Sequence, residues 1–418
     1  MLDFRPPLDS PPLIALVNLT LPLYMKFGLC DTKVQLAPGA LERFKSYKGK
    51  RALICPNHSN RHDPQVMFEF SRLAGETFNY VAAREVFDWQ NGFNGWWLQH
   101  LGCYSVVRGA ADRESFKMTK KILTEGKNKL VLFPEGEISR QNDTLMPLES
   151  GAAQLTFWAV EELAKHAAGA ALEPVYLMPI AIKYTYPKNI ENGLKITLSA
   201  LEANLGIKTV SGASVYQRLR AISEKLLLTL EKEYGMKPQT GADLNERVSA
   251  LRQSILTNVG HQLQIELPTN VRQLEMVRIL RNHVDDFIYA PEKDFSEYER
   301  KVHEERASTL RGFYNDLDRV VNFIAIYDGY LKDNMTQERF ADILDRLERE
   351  ILRTREPSFR GSRIVLMDVG VPINLSERYA DYKSAKKATI GKVTEEISIQ
   401  ISEMLTSLDQ YRKPIHLS

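Results

Sequence analysis

Short apolar runs alternate with amphipathic stretches through the first half of the chain. Pro179 interrupts the last apolar run, residues 175–184, which predicts an edge strand or a bulge there. Residues 194–199 are predicted to add a further strand to the sheet that these runs form. Strands that alternate with helices favour a layered α/β core, because each strand buries apolar surface against a helix. The runs of strand length are residues 51–55, 78–83, 102–107, 129–133 and 175–184, and residues 65–74 have helical spacing.

The second half of the chain has a different, helical pattern. Apolar residues recur with a 3.6-residue period from Val215 to Leu230 and again from Phe340 to Ile351. A strand at 363–372 and a closing helix marked by Ile397 and Leu408 follow. A strand so late predicts a return to the first sheet and makes the helical region an insertion. The predicted units are an N-terminal membrane-proximal segment 1–50, a core 51–205, a helical region 206–360, and a terminal strand and helix 361–418.

The charge and the cysteine content give no sign of a nucleic acid partner or of a metal site built from cysteines. The 418 residues include 55 basic and 53 acidic side chains, a net charge of +2, which gives no reason to expect a nucleic acid partner. Cys30, Cys55 and Cys103 lie in apolar surroundings without metal-ligand spacing, so we expect reduced packing residues in a cytosolic protein. The first residues lack the pattern of an export signal.

The apolar stretch 11–30 is a candidate for membrane contact. Asn18, Pro22 and Lys26 interrupt it, so a transmembrane helix is not predicted. Residues 42–51 then carry five cations and one anion. Two interpretations stay open: a segment lying on an anionic membrane surface, or a helix packed on the core beside a solvated basic loop.

His58 stands five residues before Asp63, at the predicted turn between the first strand and its helix. A histidine base needs a second group to fix its tautomer and stabilise its charged form, and a carboxylate about one turn away does both. Asp63 also precedes Pro64, which predicts a helix N-cap. The spacing alone can arise by chance, and only the motifs that follow it in the chain give it a functional meaning.

Four segments, in order, resemble motifs of the glycerolipid acyltransferase family, which includes glycerol-3-phosphate and lysophosphatidate acyltransferases. Residues 370–375 resemble the terminal strand of that family, whereas residues 206–360 have no counterpart that we can name. The four segments are Asn57-His58-Ser-Asn-Arg-His-Asp63, Gly102-Cys-Tyr-Ser-Val-Val-Arg108, Phe133-Pro-Glu-Gly136 with Ser139, and Met178-Pro179-Ile-Ala-Ile182.

The resemblance implies transfer of an acyl group from acyl-CoA or acyl carrier protein to a lysophospholipid hydroxyl in phospholipid biosynthesis, with 1-acylglycerol 3-phosphate as first choice. His58 would be the base and Asp63 its orienting carboxylate, with no acyl-enzyme, metal or cofactor besides the donor. We expect a peripheral or monotopic protein on the cytoplasmic face of a membrane. The implied acceptor and phosphate ligands are Arg108, Glu135, Gly136, Ser139 and Arg140, and the implied walls of the site are Pro134 and Pro179.

The third motif departs from the family pattern, in which Thr-Arg-Ser follows Phe-Pro-Glu-Gly. Glu137 and Ile138 occupy the first two of these positions, so the usual cation is missing. A carboxylate beside a phosphate weakens anion binding unless Arg140, Arg108 or Lys183 compensates. Glycerol 3-phosphate, another lysophospholipid or a less anionic alcohol therefore stays open as the acceptor.

Two other classes compete with this interpretation. His58 and His62 are four residues apart, a spacing that suits a zinc site, but Ser59 stands where a metalloprotease has glutamate and Pro64 truncates a helix there. A non-catalytic lipid-binding scaffold on the same core is the second. For the helical region, core packing competes with a lid or membrane platform.

Overall fold

Eight strands form one mostly parallel sheet in the computed structural model, which describes residues 3–108, 112–167, 171–208, 212–237, 241–288, 296–324, 335–354 and 356–412. The order is β1-β7-β6-β2-β5-β3-β4, and β8 pairs with one end of β6. The strands are β1 Asp31–Leu36, β2 Arg51–Pro56, β3 Phe78–Ala83, β4 Cys103–Val106, β5 Lys129–Val131, β6 Val175–Thr185, β7 Arg363–Val369 and β8 Ile373–Asn374.

Helices cover both faces of the sheet and form a separate bundle. The first helix continues into a π-helical turn, Tyr24–Gly28, and 3-10 turns occur at Arg84–Asp88 and Leu408–Tyr411. The helices are α1 Pro11–Leu23, α2 Ala40–Lys45, α3 Asp63–Ala74, α4 Phe93–His100, α5 Arg113–Glu125, α6 Gly151–His166, α7 Glu191–Leu205, α8 Val215–Glu233, α9 Leu244–Leu263, α10 Gln273–Ile288, α11 Glu297–Ile324, α12 Gln337–Leu352, α13 Tyr379–Ser384 and α14 Lys386–Ser407.

The central strands are buried on both faces, which explains why they are continuously apolar in sequence. Ile54 and Met178 pack on the face covered by α1, α2 and α3. Cys55 and Leu177 pack on the opposite face, against α5, α6 and α14. This arrangement confirms the predicted layered α/β core.

One local prediction about the sheet is wrong, and one of the two alternatives at Pro179, the edge strand, is excluded. Residues 194–199 belong to α7, where Leu194, Leu198 and Leu201 are buried together, a spacing that only a helix provides. Pro179 lies inside β6, beside Cys55 of the central strand β2, and not on an edge. The carbonyl of Pro179 accepts a hydrogen bond from the Gly370 amide, between the stretches that pair with β7 and β8. The nitrogen of Pro179, which has no hydrogen to donate, therefore lies between the stretch of β6 that pairs with β7 and the stretch that pairs with β8. No hydrogen bond between paired strands is lost there.

Helices α7 to α12 share one apolar cluster that begins at Ile190. After them, β7 enters the sheet between β1 and β6, parallel to β1 and antiparallel to β6. The chain thus leaves the sheet after β6 and returns with β7, although the exact boundaries of the four predicted units stay predictions. Among the described helices, none combines the length and apolar character needed to cross a bilayer.

The N-terminal segment is part of the sheet and not only an appendage. Its residues 31–36 form β1, and Phe44 of α2 is fully buried. Arg43 bonds the Val369 carbonyl and Arg51 pairs with Glu173, so two of the five cations counted in 42–51 have internal partners. Arg43 is nevertheless exposed, as are Lys45, Lys48 and Lys50. Of the cysteines, Cys55 and Cys103 are buried and Cys30 is half-buried, all unpaired by disulfides.

Candidate active site

The turn that carries His58 is fixed to the neighbouring strand by Asn57. The Asn57 side chain donates to the Ile182 carbonyl at 3.0 Å and accepts from the Ile182 amide at 2.7 Å. The amide is fully buried, so these bonds satisfy polar groups that water cannot reach. The turn after β2 is therefore held in register with β6, which gives the next residue a defined position.

His58 and Asp63 form a hydrogen-bonded pair. Nδ1 of His58 lies 2.9 Å from Oδ2 of Asp63, and the Asp63 side chain is completely buried. Asp63 also accepts from the Asn60 amide at 2.8 Å and, through Oδ1, from the Tyr184 hydroxyl at 2.7 Å. Each carboxylate oxygen is thus engaged, and the carboxylate cannot turn away from the imidazole.

This geometry corrects the predicted capping role of Asp63. The helix α3 has His62 as its N-cap, and Asp63 is already its first residue. The carboxylate points back to the Asn60 amide and the imidazole instead of forward to the second or third amide of the helix, as a capping group would. Asp63 therefore orients His58 and does not cap α3.

The pair fixes the tautomer of His58. An ionised carboxylate only accepts hydrogen bonds, so Nδ1 carries the hydrogen and Nε2 has the free lone pair. The ring stacks on Phe133 with centroids 4.2 Å apart, and the side chain retains 15% exposure. The backbone carbonyl of His58 accepts from the Ser139 amide at 2.8 Å and from the Ser139 hydroxyl at 3.2 Å. Nε2 is consequently a basic atom on a rigid, partly accessible ring.

Glu135 lies under the same turn and is fully buried. One carboxylate oxygen accepts from the His58 amide and the other accepts from the Met146 amide at 2.9 Å. Burial raises the pKa of Glu135 to about 7, against the opposing effect of these two backbone donors. The carboxylate thus ties the His58 turn to the loop at 146 and is occupied by protein donors, whereas the sequence predicted an acceptor ligand.

Arg108, which the resemblance implies as a phosphate ligand, reaches the turn after Glu135 and is paired with carboxylates. Its Nη1 donates to the Gly136 carbonyl at 3.0 Å and pairs with Glu137 at 2.6 Å, while Nη2 pairs with Glu85. Burial would lower the pKa of Arg108, but Glu137 and Glu85 hold it above its ordinary value. The charge of this guanidinium is therefore offset twice.

The unexpected carboxylate of Glu137 has a structural partner outside the sheet. Arg281 of α10 places Nη1 at 3.0 Å from the same Glu137 oxygen that Arg108 contacts. Burial opposes ionisation of Glu137, but Arg108 and Arg281 hold its pKa below the usual range. Glu137 is thus a bridge between the sheet and the helical region.

Gly136 needs its glycine for two reasons. Its φ of +73° is unfavourable for other residues. A Cβ there would also lie 2.3 Å from Nη2 of Arg278, a side chain of α10. Glycine therefore permits both this backbone conformation and the close approach of the Arg278 side chain.

Arg140 and Lys183 differ in their relation to the site. Lys183 is almost fully buried between Asp143, 2.9 Å away, and Asp409, 2.6 Å away, and it donates to the Leu405 carbonyl. It is committed to that network, so Lys183 is excluded from the three cations that could have compensated. Arg140 directly follows Ser139, whose amide bonds His58, so it lies beside the candidate base.

The two prolines predicted as walls lie in different places. Pro134 is buried between Phe133 and Glu135, and its carbonyl accepts from the Glu149 amide at 2.7 Å, so it belongs to the site turn. Pro179 shares the β6 face of Leu177, and a Cβ on Gly370 would lie 3.2 Å both from its Cβ and from Met404 of α14. It therefore packs away from the His58 ring, and its predicted role in the site gains no support.

His62 belongs to a second polar cluster. Its Nδ1 lies 2.7 Å from Asp31 and 2.9 Å from Arg363, whose Nε pairs with Asp31 at 2.8 Å. His58 and His62 thus use Nδ1 on different carboxylates and do not converge, so the spacing of four does not produce a shared zinc site. This cluster ties β1, β7 and the start of α3 together.

Sequence reasoning missed the side chains that hold the site from a distance. Tyr184 bonds Asp63 from β6, Arg281 bonds Glu137 from α10, and Arg346 of α12 donates to the Ser139 carbonyl at 2.7 Å. None lies within a motif of the resemblance. The apolar stripe of a helix does not show which of its polar residues face another part of the protein, so Arg281 and Arg346 could not have been found. Tyr184, at the end of the fifth apolar run, could have been considered as a site residue from its position in the sequence.

Comparison with models of protein families gives a match that covers most of the sheet and the candidate site. Residues 40–183 match the model of a family described as Acyltransferase, a range that contains the His58 turn, Arg108 and the Glu135 turn. The match supports acyl transfer to a lipid as the general activity of this domain. A search of curated proteins found no match.

Proposed function

We propose that the chain transfers a fatty acyl group from acyl-CoA or acyl carrier protein to the hydroxyl of a lysophospholipid, with 1-acylglycerol 3-phosphate as the favoured acceptor. The observation that carries the proposal is the His58–Asp63 pair, with Nε2 of His58 left as the basic atom. The family match over residues 40–183 supports the same class of reaction.

In the proposed reaction, Nε2 of His58 removes the proton of the acceptor hydroxyl as its oxygen attacks the thioester carbonyl. The C–S bond breaks, and the leaving thiolate takes the proton back from the imidazolium. Asp63, bonded to Nδ1, stabilises the imidazolium between the two transfers. Such general acid and base assistance contributes roughly 10²–10⁴-fold to the rate.

We further propose a peripheral position on the cytoplasmic face of a membrane. Helix α1 and its π-helical turn expose large apolar side chains, including Leu19 at 76% and Phe27 at 71%. Trp96 of α4 is also exposed. Its helix is joined to α1, because the Ser10 amide at the start of α1 bonds the His100 carbonyl at the end of α4. Apolar and tryptophan side chains of this kind insert into the interfacial region of a bilayer.

The test is an acyl transfer assay with the purified full chain. Acyl-CoA and acyl carrier protein donors are each combined with 1-acylglycerol 3-phosphate, glycerol 3-phosphate, lysophosphatidylcholine and monoacylglycerol, and acylated products are measured by mass spectrometry. We expect the fastest product formation from 1-acylglycerol 3-phosphate. An absence of product from every pair would contradict the proposal and favour a lipid-binding scaffold on the same core.

A further inference from the structure

One cation of the resembled motif is missing from the site, and the arginines that are present there are paired with carboxylates. Ile138 stands where the resembled motif has arginine, and Arg108 is paired with Glu85 and Glu137. Arg281 shares Glu137 and also pairs with Asp318. A phosphate that entered here would have to compete with these carboxylates. A different group of arginines, next to Ser139, does not have this difficulty.

Arg140 and Arg349 are arginines without a described acidic partner in ion-pair contact. The Nε atoms of both are buried and have no hydrogen-bond partner among the described residues. Arg140 also has a φ of +54°, which is uncommon outside glycine and asparagine. A buried donor without an acceptor is costly, so these guanidinium groups lack something that an oxygen-rich ligand would supply.

Helix α12 brings Arg349 to Arg140. Arg346, one turn before Arg349, donates to the carbonyls of Ser139 and Arg140 at 2.7 and 2.9 Å. The Ser139 amide in turn bonds the His58 carbonyl. Residues three apart on a helix project from the same side, so Arg349 faces the Ser139–Arg140 backbone as Arg346 does. The charge of Arg61, in the turn after His58, also acts on Arg349.

These guanidinium groups repel one another. Burial lowers the pKa of Arg349 to about 10, and the charges of Arg140 and Arg61 act in the same direction. Burial and the charge of Arg346 likewise lower the pKa of Arg140. An anion among these groups would relieve both the repulsion and the unsatisfied donors.

The nearest carboxylates are already committed elsewhere. Asp345 and Asp318 raise the pKa of both Arg140 and Arg349, but Asp345 pairs with Arg360 and Asp318 with Arg281. Asp342, close to Arg346, accepts from the Asn142 amide at 2.9 Å, and burial raises its pKa to about 7. Arg61 pairs with Glu356, and both of these side chains are about half exposed to solvent, which weakens the pair. The group therefore keeps an excess of positive charge.

We propose that Arg140 of the site loop and Arg349 of helix α12, with Arg61 beside them, form an anion site for a phosphate group of a substrate. This inference rests on the proposed function. It assigns the helical region a direct part in substrate binding, through a residue that the resembled family motifs do not include. The phosphate belongs either to the acceptor or to the donor, because lysophosphatidate and coenzyme A both contain phosphate groups.

The first test is binding, which needs no turnover. Isothermal titration calorimetry compares the wild-type full chain with Arg349→Gln and Arg140→Gln, using sn-glycerol 3-phosphate and coenzyme A, with glycerol and pantetheine as phosphate-free counterparts. We expect the Kd of one phosphate compound to rise about tenfold or more in both variants, the loss of a charge-assisted bond. Arg349→Lys should recover part of the affinity, and Arg311→Ala, which removes an exposed cation of α11, should leave it unchanged.

The second test separates the two sources of phosphate. If the acceptor phosphate is held, Arg349→Gln raises KM for 1-acylglycerol 3-phosphate but not for monoacylglycerol, with kcat changed less. If the donor phosphate is held, KM rises for acyl-CoA but not for acyl-pantetheine. Equal changes with and without phosphate, or unchanged Kd and KM in folded variants, would overturn the anion site. Phosphate binding lost in the variants of a chain that transfers no acyl group would instead refute the proposed function alone.

Discussion

Tyr184 donates its phenolic hydrogen to Oδ1 of Asp63 across 2.7 Å, so the carboxylate that orients His58 is itself held by strand β6. The Tyr184 ring also lies under the Arg363 guanidinium, 4.4 Å from its centroid. The tyrosine thus connects the His58–Asp63 pair with the arginine that anchors β7 to β1. Three parts of the chain that are remote in sequence determine the position of one carboxylate.

Replacing Tyr184 by phenylalanine tests this connection. The buried Oδ1 of Asp63 would lose its donor, which costs about 1.5–3 kcal/mol for a charged group. We expect kcat to fall by about tenfold, a loss of about 1.4 kcal/mol in transition-state stabilisation, with KM nearly constant, because Tyr184 acts through Asp63 and His58. Urea unfolding and steady-state kinetics provide the two readouts. Tyr176→Phe, at the other end of β6, is the control, and equal losses in both variants would contradict a positioning role.

The ion pair between Glu137 and Arg281 is predicted to join the sheet to the helical region. Arg281 reaches Glu137 at 3.0 Å and both side chains are mostly buried. A double-mutant cycle of Glu137→Gln and Arg281→Gln should give a coupling free energy of unfolding of about 1–3 kcal/mol. The exposed pair Lys117–Glu114 should give about 0.5 kcal/mol or less. A coupling at Glu137 no larger than in this control would show that the pair does not hold the units together.

Titration of Glu135 should appear in the stability of the protein. Its folded pKa of about 7 lies above the ordinary value of 4.5, so its contribution is fully present below pH 4.5 and is lost as pH rises through 7. Relative to Glu135→Gln, the wild type should lose about 2 kcal/mol of unfolding free energy between pH 5 and pH 8. Asp342 titrates in the same range in both proteins and cancels in the difference. A difference independent of pH would contradict the raised pKa.

Membrane association is predicted to depend on the apolar surface of α1. Leu19→Glu should reduce flotation of the full chain with vesicles that contain anionic lipid, because a carboxylate opposes both apolar insertion and the negative surface. Ile196→Glu is the matched control, since Ile196 of α7 is 71% exposed and Leu19 is 76% exposed. Equal flotation of the two variants would remove α1 from the proposed membrane contact.

The sequence was sufficient where the determining contacts are local. His58, Asn60 and Asp63 lie within six residues, and their mutual hydrogen bonds follow from one turn. The apolar runs likewise predicted β2 to β7, because a strand buried on both faces is apolar throughout, whereas the mixed sequence of the edge strand β1 gave no such signal. The error at residues 194–199 arose because so short a segment fits both the two-residue period of a strand and the 3.6-residue period of a helix. Only the burial of Leu201 and the exposure of Ile196 distinguish the helix.

The rest of the site depends on register and on packing between units. Tyr184 meets Asp63 only because β6 pairs with β2 in one particular register. The pairing of Glu137 with Arg281 could not be predicted either. Arg281 belongs to a helix with several charged residues, and the sequence does not show which of them faces the sheet. The carboxylate at 137 therefore looked unfavourable for anion binding, although it pairs with two arginines of the protein.

The role of His58 as the base is tested most directly by the acyl transfer rate of His58→Ala. Asp63, Glu135 and the backbone bonds of the turn are retained in this variant, so circular dichroism and urea unfolding should report a folded protein. We expect kcat to fall by roughly 10²–10⁴-fold while KM for donor and acceptor changes little. A folded His58→Ala variant that keeps more than about a tenth of the wild-type kcat would contradict this role.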